Sequence, residues 1–251
     1  MYKIRKRKSL LSISKEWDAL ASTRFLQIVN GGDITYRKVL VPNILKLIAN
    51  DSVGRVLDAG CGVGFLTNLL ARQSKQVIGI DPSAKSITLA RNHYGSRVTF
   101  IRTTLEKYSR ENSRSVDIIV ANMVLMDVVN LDEFLQSAAK ALRKNGKLVF
   151  SIAHPCFWPA YYGYKNEPWF QYNKELIIEG PFKITTSPEC KLKSTHVHRP
   201  LETYIQKFYD AQFSLDILKE PMPSSSVSAL YPNPWVYPRY IIGMCRKKPL
   251  F

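Results

Sequence analysis

Asp58 stands two residues ahead of a GxGxG turn, Gly60, Gly62 and Gly64, where the apolar run "RVLDAGCGVG" breaks. A second apolar run, "QVIGIDP", ends on Asp81 and Pro82. Glycines at such a break let a backbone approach a ligand closely. Carboxylates there accept hydrogen bonds from hydroxyls or pair with cations. The chemistry on offer is therefore the holding of a nucleoside-type cofactor.

The dinucleotide fingerprint GxGxxG is met only at Gly60 and Gly62, because Phe65 stands in its third position. Asp58 is the sharper clue. Near a pyrophosphate its carboxylate would be repelled. Near the amino group of a methionine moiety, on a cofactor that also carries a sulfonium, it would be attracted. Asp81 is placed to accept from two ribose hydroxyls, which supports a nucleoside without naming it. Together the two acids and the GxGxG spacing favour S-adenosylmethionine (SAM) over NAD.

The elements that must position these residues are legible in the periodicity. Two helix-like stretches, "EWDALASTRFLQIV" and "YRKVLVPNILKLIA", flank the break "NGGD". From Arg55 onward strands and helices alternate. The strands are "RVLDAG", "QVIGID", "RVTFIRT", "VDIIVANM" and "KLVFSIA", and the helices are "GFLTNLLARQ", "SAKSITLARNHY" and "LDEFLQSAAKALRKNG". Short connections between such units imply a parallel α/β sheet covered on both faces. Residues 154–200 break the pattern, opening with eight aromatics between Phe157 and Tyr172 and no clear period. A helix "LETYIQKFYDAQF" and two strands, "SLDILKEP" and "YIIGMCRK", follow. The expected organisation is one domain over 1–251: a helical cap (1–54), a cofactor-binding half (55–153), an irregular acceptor-side lid (154–200) and a final helix with two strands (201–251).

The segments "VLDAGCGVG", "GIDPS", "VDIIVANMVLMDV" and "LRKNGKLVFSIAHPCF", in that order, resemble the class I SAM-dependent methyltransferases, bacterial small-molecule members above all. The resemblance implies a Rossmann-like seven-stranded sheet of order 3-2-1-4-5-7-6 with strand 7 antiparallel. It places Asp58, Gly60, Cys61, Gly62 and Gly64 around the methionine part and Asp81 with Pro82 at the ribose. Thr104 and the Leu105 backbone fall where the family contacts adenine, Asn122 faces the cofactor, and Arg37 pairs with the cofactor's carboxylate. The implied activity is methyl transfer to a small, aromatic or apolar metabolite, with S-adenosylhomocysteine (SAH) as the second product. If the acceptor must lose a proton, His154 leads as the base, with Tyr204, His196 and His198 behind it. Plainer readings stand beside these: Asp58 as a turn cap, Asn122 as a turn residue, His154 as a buried structural histidine, and the aromatic run as core.

Composition narrows the rest. With 45% hydrophobic residues over 251 positions, the chain is globular, and it holds no apolar run long enough to span a bilayer. The basic start "MYKIRKRKSLLSISKEW" lacks an apolar segment and cleavage site, which argues against a secretory signal and for a cytoplasmic protein. Four scattered cysteines and an isolated "HVH" (His196, His198) offer neither disulfide framework nor metal site. The net charge of +16 admits RNA as a runner-up acceptor, although Arg5 to Lys8, "RKRK", reads as a solvated, mobile terminus. A non-catalytic SAM-binding protein is the third reading, and the expected assembly is a monomer or homodimer.

Overall fold

The computed structural model describes residues 2–49, 54–184, 190 and 192–248. The join expected between cap and first strand (50–53) and positions 185–189 and 191 of the expected lid lie outside the described residues.

Seven strands build the main sheet: β2 (Arg55–Ala59), β3 (Gln76–Asp81), β4 (Thr99–Arg102), β5 (Val116–Asn122), β6 (Leu142–Ala153), β9 (Phe213–Lys219) and β10 (Tyr240–Lys247). A second sheet holds β1 (Lys3–Arg5), β7 (Leu176–Pro181) and β8 (Lys193–His198). The main sheet runs β4-β3-β2-β5-β6-β10-β9, with β10 antiparallel to both neighbours, which is the expected order. Period-two alternation explains its two cores. Val56, Ile118 and Val149 face α2 (Val41–Ile48), α3 (Phe65–Leu70) and α4 (Ala84–Tyr94). Their neighbours Leu57, Ile119 and Leu148 face α5 (Leu105–Glu111), α6 (Leu131–Ala141) and α8 (Leu201–Asp210). Central strands are apolar on both faces because helices cover both.

Three local expectations are corrected. The helix expected to run to Gly146 stops at Ala141, because Leu142 turns extended and pairs with Val116. The second N-terminal helix begins as a π-helical turn, Tyr36–Leu40, in which Val41 donates to the Tyr36 carbonyl. Pro42 follows at once, and its missing N–H disrupts the ordinary ladder there.

The third correction is larger. The basic terminus is not a solvated arm, and residues 154–200 are not irregular throughout. β1 pairs antiparallel with β7, which pairs with β8. Arg5 forks onto Glu179 (3.1 and 3.0 Å), and Lys8 reaches the same carboxylate at 2.8 Å. Lys8 also bonds Glu16 of α1 (Leu10–Val29), which in turn accepts from Thr195 Oγ1 of β8 at 3.1 Å. This cationic cluster holds Glu179 down at about 2, far below the usual carboxylate range. α1 thus lies between β8 and α4, where Asp18 accepts from Ser83 Oγ (2.6 Å) and the Lys85 N–H (3.0 Å). Among the described residues no helix is long and apolar enough to cross a membrane.

Candidate active site

A cavity of about 740 Å³ opens at the carboxyl edge of the main sheet and runs under α1 and the three-stranded sheet. Crevices at that edge are where open parallel sheets bind ligands. One wall comes from the turns after β2, β3, β4 and β5 and contains Asp58, Gly60, Cys61, Gly62, Asp81, Pro82, Thr104, Leu105 and Asn122. Eight of these nine are contributed by three short stretches (58–62, 81–82 and 104–105), the ninth being Asn122 at the end of β5.

The turn after β2 is held by the sheet beside it. Gly60 and Cys61 both donate to the Ile80 carbonyl, at 2.8 and 3.0 Å. Gly62 adopts φ 52°, and a Cβ there would project into open space, the position from which a ligand can reach the backbone. Gly64 does not line the cavity. It starts α3 at φ 83°, where a Cβ would meet Phe100 at 2.8 Å and Ala90 at 2.9 Å, so its work is packing helix against sheet.

Asp58 is buried and Asp81 half-buried, and both lack a cation among the groups that hold them. Asp58 accepts from Thr67 Oγ1 at 2.7 Å; burial, with a smaller push from Asp81, raises it to about 7 despite that bond. Asp81 accepts from the N–H groups of Gly62 (2.9 Å) and Ser83 (2.8 Å), and burial lifts it to about 6. Two carboxylates raised in this way suit a ligand that brings positive charge and hydroxyl donors. Asn122 accepts from Ser151 Oγ at 2.6 Å across the β5–β6 pair. Thr104 caps α5 by accepting from the Lys107 N–H at 3.3 Å.

The facing wall comes from distant segments: Leu10, Leu11, Trp17 and Arg24 of α1, Trp158, Tyr161 and Tyr162 of α7 (Trp158–Tyr162), Phe182, Lys183 and Ile184 after β7, and Ser194 to His196 of β8. The aromatic run is thus divided. Trp158, Tyr161 and Tyr162 reach the cavity, whereas Tyr164, Trp169 and Phe170 pack around Ile178 as a small core.

Three expected residues lie elsewhere. Arg37 points its guanidinium at the carbonyls of Ile28 (3.3 Å) and Val29 (3.2 Å) and stacks over Phe65, outside the cavity. Arg24 is one of the cations that do line the cavity, with Lys183 on the same wall; it is paired with Asp33 at 2.8 Å and lies over Phe182. His154 turns away: Nδ1 accepts from the Cys156 N–H (3.2 Å), and Nε2 bonds Glu220 at 2.6 Å. Both nitrogens are occupied, and the ring does not line the cavity. Tyr204 is buried in the helix-covered core with Phe208, below Arg199 and away from the cavity. His196 does reach the wall, but its Nε2 bonds Tyr164 Oη at 3.0 Å and burial lowers it to about 3. His198 bonds the Tyr172 carbonyl. Sequence reasoning missed Trp17, Arg24 and Asp127; for Asp127 a signal existed, its place just beyond a parallel strand's carboxyl end. Among the described residues no cluster of three His, Cys, Asp or Glu could hold a metal ion.

The fold and the cofactor wall define a class I SAM-dependent methyltransferase. A family profile described as "Methyltransferase domain" matches residues 50–199, and the chain belongs to that family. It is 35% identical over 124 residues to the mitochondrial ubiquinone biosynthesis O-methyltransferase of Rattus norvegicus. That match covers 45% of this chain and 36% of the rat enzyme, and across the curated relatives it matches the chain spans between about a third and a half of their length. An S-adenosylmethionine dependent methyltransferase from Mesorhizobium loti superposes with TM-score 0.62 at 22% identity, over 82% of this chain and 96% of that one. The Burkholderia thailandensis 1,6-didemethyltoxoflavin-N1-methyltransferase, solved with that compound and SAH, superposes with TM-score 0.59 at 16% identity, over 99% and 96% of the two chains. The wall fits SAM on its own chemistry, since two carboxylates without a paired cation line the cavity beside Gly62, where a Cβ would meet nothing.

Proposed function

We propose that this chain, working as one domain, transfers the methyl group of SAM to a small acceptor that is aromatic or largely apolar. The observation that carries the reading is the single cavity bounded by a carboxylate-rich wall on one side and aromatic residues on the other. Asp58 takes the ammonium of the methionine moiety, Asp81 the ribose hydroxyls, and Thr104 with the Leu105 backbone the adenine edge. Arg24 stands where Arg37 was expected, as the cation for the carboxylate. SAM supplies, when bound, a methyl group already activated by its sulfonium. What remains for the protein is alignment and exclusion of water, and α1 with the three-stranded sheet provides both. Trp158, Tyr161, Tyr162 and Phe182 offer flat faces on which an acceptor ring stacks. The names of the curated relatives and of the Burkholderia enzyme, with its bound small heterocycle, support an acceptor of this size. The basic N-terminus, used within the molecule on Glu179 and Glu16, gives RNA no special claim.

Calorimetry with SAH and with NAD, followed by a methylation screen over small metabolites with labelled SAM, tests the reading. SAH binding and methylation of an aromatic metabolite are expected. Tight NAD binding, or methylation confined to RNA with steep salt sensitivity, would overturn it.

A further inference from the structure

Asp127 lies in the cavity wall, in the loop that follows β5, between the cofactor-side turns and the aromatic wall. Its carboxylate accepts a hydrogen bond from the Trp17 side chain of α1, and Trp17 lines the same cavity. The loop is rigidly held. Asp127 N–H closes a turn onto the Val124 carbonyl (2.7 Å), and Val197 of β8 donates to the Met126 carbonyl (2.6 Å). Arg199, with almost no exposed surface, donates to the carbonyls of Leu125 (3.1 Å), Val128 (2.7 Å) and Val129 (2.9 Å) and pairs with Glu175. A buried guanidinium spent on three carbonyls fixes the loop that carries Asp127.

The other acids of the wall are engaged or remote. Asp58 and Asp81 belong to the cofactor turns, Asp33 is paired with Arg24, and Glu106 and Glu133 sit at the far, adenine end. His196 is bound to Tyr164, and His154 and Tyr204 lie outside. An amine attacks through a lone pair it already has, whereas a hydroxyl attacks well only as its proton leaves. A wall with a positioned carboxylate and aromatic faces therefore suits a ring hydroxyl.

We propose that Asp127 is the proton acceptor for the acceptor substrate, and that this substrate is an aromatic hydroxyl compound methylated on oxygen. The inference rests on the methyltransferase reading above. In the step, the oxygen lone pair forms the new C–O bond while the methyl–sulfur bond breaks. The sulfonium becomes a neutral thioether, and the hydroxyl proton passes to a carboxylate oxygen of Asp127. Burial, and the negative charges of Glu16 and Asp81, raise Asp127 well above the usual carboxylate range, opposed by the Trp17 bond. Tyr204 and Arg199 are the remaining charged or titratable groups on its far side.

The test uses wild type, Asp127→Asn and Asp127→Glu. SAH calorimetry is run first: failure of all three to bind would defeat the proposed function and this inference with it, whereas the outcomes below bear on Asp127 alone. With SAH bound, 13C NMR of γ-labelled aspartate follows one carboxyl resonance, identified by its loss in Asp127→Asn, during addition of catechol. The proposal expects that resonance to shift with catechol, and catechol O-methylation by the wild type. It expects Asp127→Asn to keep SAH binding but lose ~10²-fold or more in turnover, with partial recovery in Asp127→Glu. A resonance unmoved by catechol, near-wild-type turnover in Asp127→Asn, or methylation of aromatic amines with phenols left untouched would each overturn it.

Discussion

The cavity's two walls are built in opposite ways. The cofactor wall is drawn from consecutive strand-to-helix turns, each a few residues long and braced by its own sheet, as Gly60 and Cys61 are by Ile80. The facing wall, proposed for the acceptor, is assembled from four segments far from the cofactor turns and held by side-chain ion pairs, above all Arg5 and Lys8 on Glu179. Binding of the common ligand thus rests on local backbone geometry, and shaping of the variable one on long-range electrostatics. Substitutions on the two sides should separate accordingly.

The largest effect is expected at Asp81. Asp81→Ala removes the acceptor for two ribose hydroxyls and releases the N–H groups of Gly62 and Ser83. Charged hydrogen bonds of this kind contribute about 1.5–3 kcal/mol each, so SAH affinity should fall by ~10² or more while the acceptor wall stays folded. Calorimetry with circular dichroism measures both, and an unchanged Kd would erase the assigned role of that wall.

On the opposite wall, Glu179→Gln leaves Arg5, Lys8 and Lys193 without their shared anion. A modest loss of stability is expected, because Arg5 and Lys193 are exposed and only the Lys8–Glu179 contact is covered. Acceptor turnover should drop with it, SAH affinity much less. If cofactor and acceptor kinetics fell together, the two walls would be one mechanical unit and the contrast would fail.

A pH series sharpens the same distinction. Asp58 and Asp81 sit at about 7 and about 6 in the folded chain, above ordinary unfolded values near ~4. Folding without ligand therefore favours their protonated forms. The stability they lend is complete below ~4 and is lost as pH rises through about 6 to 7. The ligand's ammonium and ribose hydroxyls are held best by ionised carboxylates, so SAH should bind more tightly across that window and level off above it, with proton release. Asp58→Asn should flatten most of the slope; an equally steep slope in that variant would assign it to other groups.

The smallest effect is expected at His154. His154→Gln keeps a donor for Glu220 and stands outside both walls, so methyl transfer should stay near wild type, with a modest fall in melting temperature. A large loss of turnover with intact folding would return this residue to the chemistry.

The contrast also explains what could be read from the chain alone. Asp58, Gly60, Gly62 and Asp81 line the cavity as expected, because a few contiguous residues determine their conformation and direction, whereas Gly64 packs helix against sheet. The sheet order followed from the resemblance those same turns carry. His154 was misjudged because position beyond a strand does not give the direction of a ring; Glu220, 66 positions later, does that. Arg37 and Arg24 occupy opposite sides of one break, and only the packing of α1 over Phe182 shows which faces the cavity. β1 has three exposed residues and no apolar pattern, so its strand state exists only through pairing with β7.

That pairing bears on how the chamber comes into being. Arg5 and Glu179 are 174 positions apart, whereas the central strands meet partners one helix away. Closing so long a loop is entropically slow and comes late, since nearby contacts form first. During synthesis the segment 3–5 must wait for residues 177–179 to emerge, by which time β2 to β6 are already available to pair. The cofactor turns can mature on a sheet whose roof is still absent, and that roof closes only when a strand made before the sheet meets one made after β6.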